Sequence, residues 1–253
     1  MEFHFAGLGT LINVAAIIVG GLVGLFGGKF LSTNIQRTLQ DACALVVIFL
    51  GADGALKNSD AMLFIANLLG GRLIGVENIL ENSNAMLFIA SLIGGGLIGA
   101  IIDIEGKFER LGIWLRNRSG NDGDAKFLDA FVTASLTVCI GAMAVIGSIN
   151  DRLLHDPTIL IAKSALDLII ILVMTASLGK GCIFSCVSIG IFQGAITLLA
   201  GFIEPLMTDV ALANLSAVGS VLIFGVGVNL LLPEKKISVA NLLPALIIAC
   251  LWG

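Results

Sequence analysis

Charge is scarce in this chain. Asp, Glu, Lys and Arg make up 13% of the 253 residues, against about 25% in a soluble domain, and 57% of the residues are hydrophobic. The mean hydropathy is +1.04. The longest polar stretch is residues 103–126, which excludes a soluble domain large enough to hold an active site. Histidine is nearly missing: His4 and His155 fall at the terminus and in a loop, and a lone histidine makes no metal site. The five cysteines, Cys43, Cys139, Cys182, Cys186 and Cys250, all lie inside apolar segments. Cys182 and Cys186 share a helical face, but no histidine or second cysteine pair completes a metal site, so they read as small packing residues. No nucleophile–base pair and no carboxylate dyad has a plausible spacing. GGGLIG, at residues 94–99, lies within an apolar run and lacks the GxxxxGK[ST] of a phosphate loop. The sequence therefore implies neither an enzyme nor a bound metal or cofactor, and nucleic acid is not an expected partner.

What is present comes in long apolar blocks. Uncharged runs cover residues 5–28, 82–102, 130–150, 181–203, 210–233 and 237–253. About 20 apolar residues suffice for a helix to cross the hydrocarbon core, and continuous rather than alternating runs exclude a membrane β-barrel. The expected fold is an all-α polytopic membrane protein with the lipid bilayer as its partner. Spans are expected at residues 7–28, 42–56, 85–104, 127–149, 158–178, 182–202, 211–232 and 239–252, eight crossings in all, with 61–80 a broken stretch that would make a ninth. The N-terminus lacks a basic region before its first apolar run, so the first helix is expected to be an uncleaved span. Residues 105–118 place Phe108, Leu111, Trp114 and Leu115 at helical spacing beside basic residues, which predicts an amphipathic helix at the membrane surface. With the polar linker 119–126 it separates an N-terminal half, 1–118, from a C-terminal half, 127–253. With the N-terminus outside and eight crossings, inside loops carry ten basic residues, from Lys29 and Arg37 to Lys235 and Lys236, and outside loops only Lys57 and Arg152.

Two repeats bear on the architecture. Residues 58–81 and 82–105 match at 15 of 24 positions without a gap, a tandem duplication. If both copies cross, the basic residues from Lys107 to Lys126 are carried outside. Arg72 would also lie near the bilayer centre, where insertion costs about 3 kcal/mol. The first copy is therefore expected to be re-entrant, interfacial or packed against protein. The second repeat is distant: a shift of 174 residues aligns Gly20 with Gly194, Gly27 with Gly201, Gly51 with Gly225 and residues 66–69 with 240–243. In the eight-helix arrangement the aligned spans run in opposite directions, the pattern of inverted repeats that place a transport site at their interface.

The candidate site centres on the span at 158–178. Lys163 and Asp167 are four residues apart and share a helical face. Asp167 lies roughly 14 Å from the start of the span, too deep for its side chain to reach water, and needs a partner, a cavity or a proton. Lys163, about 8 Å deep, is either that partner or free to snorkel outward. The alternative is a purely structural ion pair. Gln193, Asn13, Asn229 and Asn241 are the mid-span amides, Asn241 three residues before Pro244, whose missing N–H frees a carbonyl. Such amides either line a site or bond neighbouring helices. Asp41, Asp53, Asp129 and Glu204 fall at span ends and read as solvated. The small-residue spacings in 20–28 and 94–99 permit close helix packing, including a homodimer.

Three sets of strings carry a family resemblance: GTLINVAAIIVGGLVGLFGGKF near the N-terminus, IDIEGKFERLGIWL before the linker, and the run from FVTASLTVCIGAMAVIGSI through AKSALDLI, IFQGAITLLAG and VANLLPAL. Together they resemble the YqgA/YdfK-like family of bacterial multi-pass membrane proteins, known as a domain of unknown function. The resemblance implies a bacterial inner-membrane location and supplies no substrate or site residues. This chain departs from the family pattern by an extra copy before IDIEG, and by Ala100 where the family often has an acid. The function expected is a transporter or channel for a small ion or solute. The alternative is a membrane scaffold or regulator that binds partners through the basic helix at 105–118.

Overall fold

The computed structural model describes residues 6–56, 83–120, 125–140, 142–232 and 237–251. Every regular element among them is helical. In chain order these are α1 (Leu8–Gly28), α2 (Thr33–Leu56), α3 (Ser83–Ile102), α4 (Ile104–Arg118), α5 (Ala125–Cys139), α6 (Ala142–Leu153), α7 (Thr158–Leu178), α8 (Ser185–Ile203), α9 (Asp209–Leu231) and α10 (Pro244–Leu251), with 3-10 turns at Lys180–Phe184, Glu204–Leu206 and Val239–Leu242. The first copy of the tandem repeat, with Arg72 and Glu77, lies outside the described residues.

Local chemistry sets the helix ends. The Asp151 carboxylate accepts from the Gly7 and Gly9 N–H groups at 2.9 and 3.3 Å and so caps α1. At the other end of α1, the Gln36 amide donates to the Gly28 carbonyl at 3.0 Å. Gly179, with φ of 104°, ends α7 in the left-handed region where a side chain would be strained. Thr208 accepts from the Ala211 N–H at 3.0 Å and caps α9.

Among the described residues, five helices are long and apolar enough to cross a membrane: Leu8–Gly28, Thr33–Gly54, Thr158–Leu178, Lys180–Leu206 and Asp209–Leu231. Two bent pairs add one span each if each pair crosses once, which gives seven: Phe88–Ile102 with Ile104–Arg118, bent by 50°, and Lys126–Cys139 with Met143–Leu153, bent by 60°. Leu22, Phe26, Ile169, Leu198 and Phe202 are among the large apolar side chains these helices expose, as a lipid-facing surface requires. Two expected spans take another form. Residues 127–149 are one uncharged run in the sequence from Ala130 on, yet the helix breaks after Cys139. The last span is a 3-10 turn followed by the 8-residue α10, because Pro244 has no N–H to continue the ladder.

The chain forms two compact units, each drawing on both halves of the sequence: Met1–Ala44 with Lys107–Pro205, and Leu45–Gly106 with Leu206–Gly253. In the first unit α1 and α7 run parallel with their backbones in contact. A Cβ placed on Gly20, Gly24 or Gly28 would run into the Leu168, Leu172 and Ala176 carbonyls in turn. α8 runs antiparallel to α1, since Gly21 meets Ile183 and Gly190 meets Val14. Ile17, Ile171, Met174 and Ile189 of these helices form the core together with Ala134 and Val138 of α5. A second cluster packs Phe108, Leu111 and Leu115 of α4 on Phe127 and Phe131 of α5. A helix at the expected residues is therefore present as α4, with its apolar side held by α5 and Trp114 exposed.

In the second unit α2 and α9 are antiparallel, with Gly51 against Phe224 and Gly54 against Ser220. Gly95 and Gly99 of α3 meet Ala245 and Asn241 in the same antiparallel sense. Phe88, Ala217, Val218, Phe224, Ala245 and Ala249 fill the core of this unit.

Candidate functional site

The site is built on α7. One helical turn brings Lys163 and Asp167 together, and the Lys163 Nζ donates to Asp167 Oδ2 at 2.5 Å. The same ammonium donates to the Val138 carbonyl at 2.8 Å. Asp167 Oδ2 also accepts from Asn13 Nδ2 of α1 at 3.0 Å. Lys163 is 6% exposed, Asp167 4% and Asn13 not at all. Lys163 thus turns inward, away from the interface.

The position of Val138 explains how a lysine can be held there. In an unbroken helix the Val138 carbonyl would accept from the N–H four residues on. The α5 ladder ends with the Ile140 N–H donating to the Leu136 carbonyl at 3.1 Å, after which α6 starts in a new direction. The break therefore frees a carbonyl inside the protein, and the ammonium satisfies it. A broken helix whose terminal carbonyls face a cationic group is the arrangement that secondary transporters use near the bilayer midplane. A buried pair of this kind is held by its geometry rather than by a large net energy. Removing one partner costs far more than removing both.

Gln193, on α8, is fully buried, and both its amide oxygen and its amide nitrogen lack a hydrogen-bond partner. The Asn13 Oδ1, Thr10 Oγ1 and Thr197 Oγ1 atoms are in the same condition. The two other sequence candidates belong to the second unit and serve the backbone there. Asn229 donates to the Ile237 carbonyl at 2.8 Å and accepts from its N–H at 2.7 Å. Asn241 accepts from the Glu105 N–H at 2.9 Å and so caps the start of α4. The structure thus joins Asn13, Lys163 and Asp167 directly, and gives Asn229 and Asn241 connecting roles. Sequence reasoning missed the Val138 carbonyl, Thr10 and Thr197. No local signal marked the first, and hydroxyls in apolar helices give no distinct signal for the others.

A many-helix membrane protein with a buried ion pair closed on a broken helix is the class these features define. The chain belongs to the family described as protein of unknown function (DUF554), which matches residues 8–76 and 72–253. Among curated relatives it is 26% identical over 242 residues to the "Uncharacterized protein YqgA" of Escherichia coli strain K12, covering 96% of this chain and 94% of the relative. It is 28% identical over 244 residues to the "Uncharacterized membrane protein YdfK" of Bacillus subtilis strain 168, covering 95% and 93%. No solved structure matches the chain.

Proposed function

We propose that this protein is a transporter or channel for a small ion or solute in a bacterial inner membrane, with the Lys163–Asp167 pair at the centre of its path. The observation that carries this reading is the ammonium held between a carboxylate and the freed carbonyl of a broken helix, in a segment that is otherwise apolar. Intramembrane ionisable groups are costly and mark pathways more often than they mark simple packing.

The repeat pattern supports the same reading. Shifted by 174 residues, α1 falls on the segment of α8, and α2 falls on that of α9. Each of these helices packs antiparallel against its own counterpart, α1 on α8 in the first unit and α2 on α9 in the second. Helices related by an inverted repeat run in opposite directions in this way. The two overlapping stretches of the family match, 8–76 and 72–253, are what a duplicated segment at 58–105 would give. Eight crossings, with the first copy of the repeat not crossing, keep the basic loops on one side, and the glycine faces accommodate a homodimer.

The test is flux through proteoliposomes for the wild type and Asp167→Asn, read both as current on a solid-supported membrane after pH, Na⁺ and K⁺ jumps and as solute-driven vesicle swelling. A flux that disappears in a folded Asp167→Asn protein supports the reading. A flux that survives the substitution counts against it.

A further inference from the structure

Three helices of the first unit repeat one order of buried side chains. On α1 the inward face reads Thr10, Asn13, Ile17. On α7, parallel to α1, it reads Lys163, Asp167, Ile171. On α8, antiparallel to α1, it reads Thr197, Gln193, Ile189. Each step is about one helical turn, and with Gly9 against Leu160, Gly20 against Leu168, Gly21 against Ile183 and Gly190 against Val14, Lys163 stands about level with Asn13 and Gln193 with Thr10. Ile17, Ile171 and Ile189 belong to one core cluster, and all are fully buried. One turn away on every helix the chemistry changes from isoleucine to amide, carboxylate and amide. The next turn adds two hydroxyls and an ammonium. Leu160, one turn before Lys163 on α7, is fully buried against Gly9 and Gly147.

Within this polar region the charges are used up. The Lys163 ammonium and the Asp167 carboxylate neutralise each other. Asp151, towards the N-terminal end of α1, is engaged by the Gly7 and Gly9 N–H groups. What is left over is neutral. The Gln193 amide lacks partners for both its donor and its acceptor, the Asn13 Oδ1 is an unused acceptor, and the Thr10 and Thr197 hydroxyls can do either. Four side chains with buried, unpartnered polar atoms within about two turns of one another on α1 and α8 exceed what packing needs, because each such group costs free energy in an apolar interior. An ion entering here would meet no free countercharge and would add an uncompensated charge to the site.

We propose that this region is the solute-binding site, and that it takes a small uncharged molecule that both donates and accepts hydrogen bonds, an amide or polyol of the size of urea or glycerol. Gln193 is the principal ligand-binding residue: its amide oxygen takes a donor of the solute and its amide nitrogen gives to an acceptor. Thr10, Thr197 and the Asn13 oxygen complete the ring. The Lys163–Asp167 pair acts as a positioning element that orients Asn13. Ile17 and Ile189 follow Asn13 and Gln193 on their helices as an apolar boundary, and solute exchange requires the helices to part. This proposal rests on the transport reading given above and names its substrate class.

The experiment uses proteoliposomes of the full chain in stopped-flow light scattering with inward gradients of urea and of glycerol, for the wild type, Gln193→Leu and Thr197→Val, with size-exclusion profiles as the check on folding. Currents on a solid-supported membrane are recorded from the same preparations. The wild type is expected to admit at least one of the two solutes faster than empty vesicles, with no current. Gln193→Leu is expected to slow entry about tenfold or more, since each hydrogen bond contributes on the order of 1 kcal/mol. Thr197→Val gives a smaller loss, and stands in if Gln193→Leu fails to fold. Solute entry unchanged by both variants overturns the proposal. Faster water movement without solute entry means that the region holds water only, and also overturns it. An Asp167-dependent ion current without solute entry overturns it while leaving the transport reading in place. Silence in both readouts removes both.

Discussion

Replacing Asp167 by asparagine leaves the Lys163 ammonium, 6% exposed, with the Val138 carbonyl at 2.8 Å as its remaining strong partner. An ammonium stripped of its carboxylate in a buried position costs about 3–5 kcal/mol. Lys163→Met strips Asp167 in the same way and carries a cost of the same order. The double variant Lys163→Met with Asp167→Leu removes both charges and fills the space with apolar atoms. Such replacements are neutral or stabilising by roughly 1–4 kcal/mol. Set against this are the Asn13 amide and the Val138 carbonyl, each left without its partner at about 1–3 kcal/mol. The double variant should therefore lie within about 2 kcal/mol of the wild type, well above either single variant, because the coupling energy exceeds about 3 kcal/mol. Denaturant unfolding in detergent micelles, followed by circular dichroism, measures all four proteins. Additive effects, with the double variant as unstable as the sum of the singles, would refute a coupled buried pair.

Three further outcomes follow from the first unit. Gly24→Ala places a methyl against the Leu172 carbonyl and 3.0 Å from Thr175 Cβ, and should destabilise by about 1–3 kcal/mol; Gly27→Ala, which meets nothing within 4 Å, should be neutral or slightly stabilising in the same thermal melt. Gln193→Leu removes two unpartnered polar atoms and should raise stability by about 1–3 kcal/mol even as it slows solute entry; a fall in melting temperature would mean that the amide is satisfied after all. Asp151→Ala uncaps α1 at the Gly7 and Gly9 N–H groups and should cost about 0.5–2 kcal/mol, visible as faster hydrogen exchange confined to the first turn of α1.

The sequence made the membrane class and the Lys163–Asp167 pair legible because both depend on local quantities: apolar length, and a four-residue spacing on one helix. It also identified α4, since an amphipathic stretch carries its own period. The α5–α6 break was hidden because residues 130–150 are uninterrupted apolar sequence without proline, so nothing local stops a helix at Cys139. What makes the break tolerable is Lys163, a hydrogen-bonding partner 25 residues away. The roles of Asn229 and Asn241 were equally out of reach. An amide that caps a distant helix and one that lines a site look alike until the partner is known, and for Asn241 that partner, Glu105, lies 136 residues away. α2 begins at Thr33 rather than at residue 42 because its polar first turns are helical but not apolar, and hydropathy locates only the apolar part. Thr10 and Thr197 carry no spacing or charge that sets them apart from other hydroxyls in apolar helices.

The most direct measurement is paired flux through proteoliposomes of the wild type and Asp167→Asn, with the Lys163→Met and Asp167→Leu double variant as a folded control that lacks the pair. The account predicts entry of a small solute or ion above the rate of empty vesicles in the wild type, and loss of that entry in both variants. Wild-type vesicles no more permeable than empty ones, or flux that persists in the folded double variant, would contradict it and turn attention to a scaffold role through the basic residues of α4.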